Sequence, residues 1–540
     1  MVLHVEGSFV EIRDGDGDSL GKLSTFLPGP SRRSRLLFLY SHAYGQHPYA
    51  RATRIPGCWW RDALIEVAIS SRVTLLRVLL FEMHPPSLPF FHSAANATAT
   101  LARSSSRTTT TRLFGSNRRA FGTSLVMASA TTSALLHATV SSPGAKSAQP
   151  SDIQNKQHHN KHGKGFVNPW DSYIERSAPK LLGAMAWRAL SGKWKTPDTT
   201  PPTVHVQKPD FLPSRKTEQL RATWLGHACY YVEFPGGFRV LFDPVFSARC
   251  SPISFLGPKR YTDMPCEVED IPFIDAVVIS HSHYDHMSHP TILKIVKKHK
   301  NVHFFVPLGI KEWFTSCGIT NVTELDWWDE QDIKLSSSRY HSSDSSRHPE
   351  SNSFNPSEIG RPSIDGTSTG PGDIVATLGC LPCQHTSGRT PFDKGHTLWS
   401  SWSVSSGGKK VYFGGDSGYR AVPELPEEEF DYDEKYADLP VCPAFKQIGE
   451  LRGPFDLGLI PIGAYDPRWI MSPMHANPYD SVNMFVDTKC KRAMGIHWGT
   501  WVLTEEDVLE PPRMLKDAAK WKGLEEGVFD TCNIGESREF

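Results

Sequence analysis

Ile274-Asp-Ala-Val-Val-Ile-Ser280 runs directly into His281-Ser-His283-Tyr-Asp285-His286, and this stretch decides the reading of the chain. The first half is a short apolar run of the kind that forms a strand buried in a sheet. The second half places four metal-ligand side chains within six residues. Along extended backbone, residues two apart point the same way, so His281 and His283 can grip one ion together. Asp285 and His286 lie past the bend and can face a second ion. Imidazole and carboxylate are borderline donors, suited to zinc ahead of manganese or iron. The alternative is a His-rich polar loop without metal, since His289 stands close by.

Two ions need more ligands. Three later residues fall at the ends of expected strands or just after them. They are His385 in Cys383-Gln-His385, Asp416 in Phe413-Gly-Gly-Asp416-Ser-Gly418, and His497 in Ile496-His-Trp-Gly499. A lone histidine beside an apolar run is usually a satisfied core residue, but with the hexad these three complete a set. The small residues around Asp416 let the backbone approach, so its carboxylate could bridge two ions. His158, His159 and His162 have no strand or helix context and read as inert. Cys380 and Cys383 form a lone pair of the CxxC type and read as structural thiols.

Working outward, Ala222 to Phe234 and Phe238 to Phe246 read as two strands joined by Pro235-Gly236-Gly237. Further strands are expected at 302–306, 323–327, 374–378, 397–404, 410–413, 457–462 and 492–497. Helices are expected at 290–299, 478–488 and 511–522, each with Pro near its start. This alternation predicts an α/β sandwich of two mixed sheets with helices outside. Two insertions interrupt it: a Ser-rich stretch near 336–372 and an acidic one at 424–438, both read as solvated loops.

The chain has 58 basic and 58 acidic residues among 540, a net charge of zero. Zero argues against a protein that holds nucleic acid by bulk charge. The charge is nonetheless segregated, because residues 1–151 carry 16 basic and 8 acidic residues. No Asp or Glu occurs between Met83 and Ser151, and that Arg- and Ser-rich tract reads as a mitochondrial targeting segment or a disordered leader without an address. Asp14 to Asp18 hints at a calcium loop, but Thr25 stands where the loop needs Glu. The expected division is a leader at 1–160 and a catalytic domain at 161–540. No uncharged run is long enough for a transmembrane helix. Trp59, Trp60 and the segment Leu64 to Phe81 could lie in a membrane interface. So could Leu181 to Trp194, although a core position is the favoured reading there.

The order HxHxDH, then His, Asp and His, resembles the metallo-β-lactamase superfamily, whose fold is an αββα sandwich. Within it the chain resembles the N-acylphosphatidylethanolamine-hydrolysing phospholipases D. The strings that carry this resemblance run from Lys164-Gly-Phe-Val-Asn-Pro-Trp170 and Thr223-Trp-Leu-Gly-His-Ala228 through Gly257-Pro-Lys-Arg260 and the hexad. They continue with Gly453-Pro-Phe-Asp456, Pro461-Ile-Gly-Ala-Tyr-Asp-Pro-Arg-Trp469 and Gly495-Ile-His-Trp-Gly-Thr500. The resemblance implies two zinc ions per chain. His281, His283 and His385 would hold one, Asp285, His286 and His497 the other, and Asp416 would bridge them and orient the attacking water. It also implies that Tyr284 and His475, the latter in Ser472-Pro-Met-His-Ala-Asn477, contact a phospholipid at a membrane surface. A peripheral homodimer is implied as well. The leader and the two insertions depart from the family without interrupting a ligand string. Two rivals stand beside this reading: another hydrolase on the same fold, such as a nuclease or lactonase, and a non-catalytic lipid-binding protein.

Overall fold

A computed structural model describes residues 136–337 and 373–540 apart from Glu427, together with five strands before residue 81 as backbone elements. The chain divides into two units, Met1–Ser124 and Leu125–Phe540. Taken by itself, the first unit carries an antiparallel sheet of Val2–Glu6, Phe9–Arg13 and Ser19–Ser24, and a hairpin of Ala63–Ala68 with Leu75–Leu80. Trp59, Trp60, the calcium-like loop, most of the acid-free tract and nearly all of the Ser-rich insertion lie outside the described residues.

The second unit is the α/β sandwich that the alternation of strands and helices predicts. One sheet runs in the order Val322–Leu325, His303–Pro307, Ala276–Val278, Arg239–Phe242, Tyr230–Glu233, Arg221–Trp224, Ser537–Glu539. The other runs Phe529–Asp530, Ala493–Ile496, Leu457–Pro461, Lys409–Phe413, Ser401–Ser406, Ile374–Leu381, Glu330–Ser337, Leu136–Ser141. Each is antiparallel on one side and parallel on the other. Parallel neighbours need crossovers, and these are helical: His289–Lys298, for example, links Ala276–Val278 to His303–Pro307.

The alternation of side chains along each strand builds two cores. Tyr230, Val232, Val240, Phe242, Ala276 and Val278 face the opposing sheet, where they meet Trp402, Val404, Val411 and Phe413. Tyr231, Leu241, Val277 and Phe304 face outward and are covered by Ile292 and Ile295 of one helix and Phe314 of another. Strands buried on both faces read as unbroken apolar runs, which is why Ala276 to Ile279 shows no alternation.

The structure departs from the sequence expectation in four places. The sheet reaches back to Leu136–Ser141, which pairs with Glu330–Ser337 upstream of the boundary expected at residue 161. The strand expected over 222–234 is two strands, because Gly226 and His227 take positive φ and form a tight turn between them. The acidic insertion is not wholly solvated. Asp431 is buried and accepts hydrogen bonds from Arg468 Nε and Nη2 at 3.1 and 2.6 Å, while the Tyr432 hydroxyl donates to Asp480 Oδ1. Finally, Leu181 to Trp194 is not core. It forms the helix Ala178–Leu190 and the turn after it, with Leu182, Met185, Trp187, Leu190 and Trp194 all exposed. Among the described residues no helix is long and apolar enough to cross a membrane.

Candidate metal centre

Strand ends bring the sequence-selected residues together. The hexad leaves the strand Ala276–Val278, His385 follows Ile374–Leu381, Asp416 follows Lys409–Phe413, and His497 follows Ala493–Ile496. All sit beyond carboxyl ends of strands, where the chain is free of the ladder and side chains from both sheets can converge. The hexad is closed by a turn in which the His283 carbonyl accepts from His286 N–H and Met287 N–H at 3.2 and 2.9 Å. Helix His289–Lys298 then begins, with Pro290 in its first turn. Gly415 has φ 58°, and a Cβ there would lie 2.7 Å from the Ser280 Cβ. Glycine at 415 therefore allows the Asp416 loop to close against the residue that precedes His281.

The side chains fall into two groups whose ligand atoms lie within 4.8 Å of one another: His281, His283 and His385 in one, and Asp285, His286, His497 and His227 in the other. Asp416 Oδ2 lies between them. It is 3.0 Å from His497 Nε2, 3.2 Å from His286 Nε2, 3.7 Å from His385 Nε2 and 3.9 Å from His281 Nε2. Close approach is not hydrogen bonding here. His286 Nε2, His497 Nε2 and Asp416 Oδ1 are buried without a hydrogen-bond partner among the described residues. Buried polar atoms are normally paired, so this convergence of unpaired lone-pair donors fits cations. A set of imidazoles and carboxylates around a shared carboxylate oxygen suits two divalent ions of zinc type.

Neighbouring groups orient the rings. Asp243 Oδ2 accepts from His286 Nδ1–H at 2.6 Å, and the same carboxylate accepts from Ser280 N–H and its hydroxyl at 2.7 and 2.5 Å. His385 Nδ1–H donates to the Met474 carbonyl at 2.9 Å. Such outer partners fix the tautomer that leaves the other nitrogen free to bind metal. Burial lowers the His281 and His385 imidazoles well below their usual range, which keeps them neutral and able to ligate. Burial alone would raise the Asp416 carboxyl, but His286 and His497 hold it well below the usual carboxylate range.

Tyr284 and His475 lie beside the centre. The Tyr284 ring is covered by the Arg389 guanidinium at 3.9 Å, and Arg389 Nη1 donates to the Ser282 and Met287 carbonyls at 2.8 and 3.0 Å, which braces the hexad from behind. His475 is half-buried, and its Nδ1, without a hydrogen-bond partner among the described residues, lies 4.0 Å from Asp416 Oδ2. Sequence reasoning did not select His227, Asp243 or Arg389. The local signal for His227 was the Leu-Gly-His-Ala turn, which breaks the β pattern.

The histidines read as inert have a different task. His158 and His159 donate to Asp326 Oδ1 and Oδ2 at 2.6 and 2.8 Å, and Lys156 Nζ reaches Oδ2 at 2.9 Å, occupying the place a metal would need. His162 takes no part in this cluster. Downstream of it, Asn168 Nδ2 donates to the His385 carbonyl at 2.7 Å, so the segment straps across the metal-ligand loop. Cys380 and Cys383 are buried free thiols pushed up by burial, in keeping with a structural role.

A small open cleft lies beside the centre, lined in part by His227, His497, Trp501, Leu503 and Glu506. Comparison with known proteins adds the following. The family profile described as the beta-lactamase superfamily domain matches residues 238–433 and 436–498. N-acyl-phosphatidylethanolamine-hydrolyzing phospholipase D 1 of Caenorhabditis elegans is 34% identical over 390 residues, covering 70% of this chain and 92% of its own length. The mitochondrial N-acyl-phosphatidylethanolamine-hydrolyzing phospholipase D of Saccharomyces cerevisiae is 31% identical over 309 residues, 57% of this chain and 53% of its own. A solved metallo hydrolase from the archaeon Ignicoccus hospitalis is 19% identical, with a TM-score of 0.35, covering 60% of this chain and 98% of its own.

Proposed function

Because the chain belongs to the N-acylphosphatidylethanolamine-hydrolysing phospholipase D family of the metallo-β-lactamase superfamily, and is a metal-dependent hydrolase of that type, we propose that it uses two zinc ions to hydrolyse N-acylphosphatidylethanolamine to an N-acylethanolamine and phosphatidic acid. The observation that carries this reading is the position of Asp416 Oδ2 between two separate groups of ligands.

His281, His283 and His385 would hold one zinc, Asp285, His286 and His497 the other, and Asp416 would face both. When bound, the ions supply positive charge for the phosphate oxygens and lower the pKa of the attacking water from 15.7 to about 7. Asp416 orients that water for in-line attack on phosphorus, opposite the ethanolamine oxygen that leaves. His475, with its unpartnered Nδ1, is placed to donate to a phosphate oxygen. Tyr284, held by Arg389, lines the approach for the lipid.

A lipid substrate calls for a membrane surface, and the helix Ala178–Leu190 supports one. Its apolar side chains are exposed, while Arg188 pairs with the buried Glu505 at 2.7 Å, in the same loop region that lines the cleft. An apolar face flanked by Lys180, Lys193 and Lys195 suits an interfacial helix. The acid-free tract before residue 151 and the mitochondrial yeast relative support a mitochondrial address. A reporter fused to residues 1–160 that failed to reach mitochondria would remove that part of the proposal. A homodimer, which the family resemblance implies, is read directly from the mass of the purified protein in solution.

The decisive experiment offers radiolabelled N-acylated phospholipid, RNA and a lactone side by side to the purified full-length protein. Only the lipid should be cleaved, giving phosphatidic acid, with activity lost on chelation and restored by zinc. Turnover of RNA or lactone with the lipid untouched would refute the reading.

A further inference from the structure

His227 contributes to the centre in a way that the ligand pattern does not include. It is 3% exposed and stands at the end of the strand Arg221–Trp224, in the turn that interrupts the expected long strand. Its φ is 53°, a left-handed conformation that non-glycine residues seldom adopt. Such a conformation persists only where the surroundings over-determine it. Here they do. The His227 carbonyl accepts both the Trp224 indole N–H at 2.8 Å and the His497 backbone N–H at 3.1 Å. Its ring lies 4.2 Å from that of His497 and meets Trp501 edge-on at 4.9 Å. Its Nε2–H donates to Asp285 Oδ2 at 3.0 Å.

The other orienting contacts in the centre show what this does. His286 is fixed by Asp243, His385 by the Met474 carbonyl and His281 by the Ser280 hydroxyl at 2.9 Å. Two members of the second group lack such an arrangement elsewhere. His497 Nδ1 has no hydrogen-bond partner among the described residues, so the backbone must set the direction of that ring. Among the described residues the Asp285 carboxylate meets only imidazoles: its Oδ2 is 3.3 Å from His286 Nε2 and 3.4 Å from His497 Nε2, both of which face the shared space. His227 serves both residues, one through its side chain and one through its carbonyl.

We infer that His227 is the positioning residue for the second metal: its imidazole N–H sets the Asp285 carboxylate and its carbonyl sets His497. The inference rests on the two-metal reading above. Loss of an outer-shell partner typically weakens metal binding by about 10–100-fold. The two zinc dissociation constants of the full-length protein, stripped of metal, can be measured by competition with a chromophoric chelator. Cobalt absorption at each step gives a second readout. His227→Leu should leave the constant of the first group unchanged and weaken that of the second by about 10–100-fold. His227→Gln should recover much of that loss, because its amide N–H can donate to Asp285. An unchanged second constant in His227→Leu, or equal weakening of both sites, would overturn the inference. So would a His227→Gln variant no better than His227→Leu, since that result would make the imidazole itself a ligand. Wild-type protein that binds fewer than two ions would overturn the two-metal reading, and this inference with it.

Discussion

Replacing Asp326 by Asn should cost the fold several kcal/mol even though no ligand of the metal centre is touched. Asp326 is 4% exposed and collects four donors: His158 Nε2–H and its neighbour Trp327 N–H on Oδ1, His159 Nε2–H and Lys156 Nζ on Oδ2. The three side-chain donors hold its carboxyl well below the usual carboxylate range, although burial pushes the other way. Asparagine keeps one oxygen and turns an NH₂ toward donors. The Lys156 pair is half exposed and screened, so it contributes only about 0–1 kcal/mol. The His158 contact is buried, and a hydrogen bond to a charged group is worth about 1.5–3 kcal/mol. With a discounted share for the partly exposed His159, the expected loss is about 2–4 kcal/mol at pH 7. The sign with pH follows from the depressed folded pKa. The stabilisation is present above the unfolded value of about 3.9 and fades as pH falls through the folded one, so the two proteins should converge in acid. Urea unfolding followed by tryptophan fluorescence measures this, and the stacked Trp170 and Trp327 rings report locally. A chain beginning at residue 161 loses both this cluster and the edge strand Leu136–Ser141, and should fall further than the point variant. A difference of under about 0.5 kcal/mol, the range of an ordinary surface substitution, would refute the reasoning. A chain from 161 as stable as one from 131 would do the same.

Asp416→Asn should lower turnover by more than about 100-fold, beyond the loss typical of an outer-shell change; near wild-type turnover with two zincs still present would remove its bridging and orienting roles. His475→Ala should raise KM for the lipid while metal content stays at the wild-type level, and loss of one ion by mass spectrometry would instead make it a ligand. Trp187→Ser with Leu190→Ser removes two side chains that are 67% and 84% exposed. With each buried apolar side chain worth about 1.5–3 kcal/mol, the pair contributes about 3–6 kcal/mol, so sedimentation with phospholipid vesicles should weaken by at least about 100-fold. Unaltered partitioning would mean that this helix does not meet the membrane.

The sequence disclosed the architecture wherever burial leaves a simple pattern. Ala276 to Ile279 is apolar throughout because both faces of that strand are covered, and the hexad follows because the strand ends there. His385, Asp416 and His497 were legible only as companions of the hexad, each being ambiguous alone. The turn at Gly226 and His227 was hidden because its flanks, Ala222 to Trp224 and Ala228 to Val232, are apolar enough to read as one strand. Leu136–Ser141 was missed because an edge strand buries alternate residues only partly, so Leu-His-Ala-Thr-Val-Ser gives a weak signal. Asp431 was hidden for the opposite reason. A run of acids looks solvated, and nothing local shows that Arg468, far along the chain, receives one of them.

The strand Ser537–Glu539 closes one sheet against Arg221–Trp224. During synthesis its partner leaves the ribosome more than 300 residues earlier and must wait with one edge open. The other sheet has a similar debt, since Leu136–Ser141 meets Glu330–Ser337 only after the whole of the first group of parallel strands has emerged. Contacts so distant in sequence slow folding, and an open strand edge invites pairing with other chains. Folding of this chain should therefore depend on chaperones to shield those edges until Glu330–Ser337 and Ser537–Glu539 arrive.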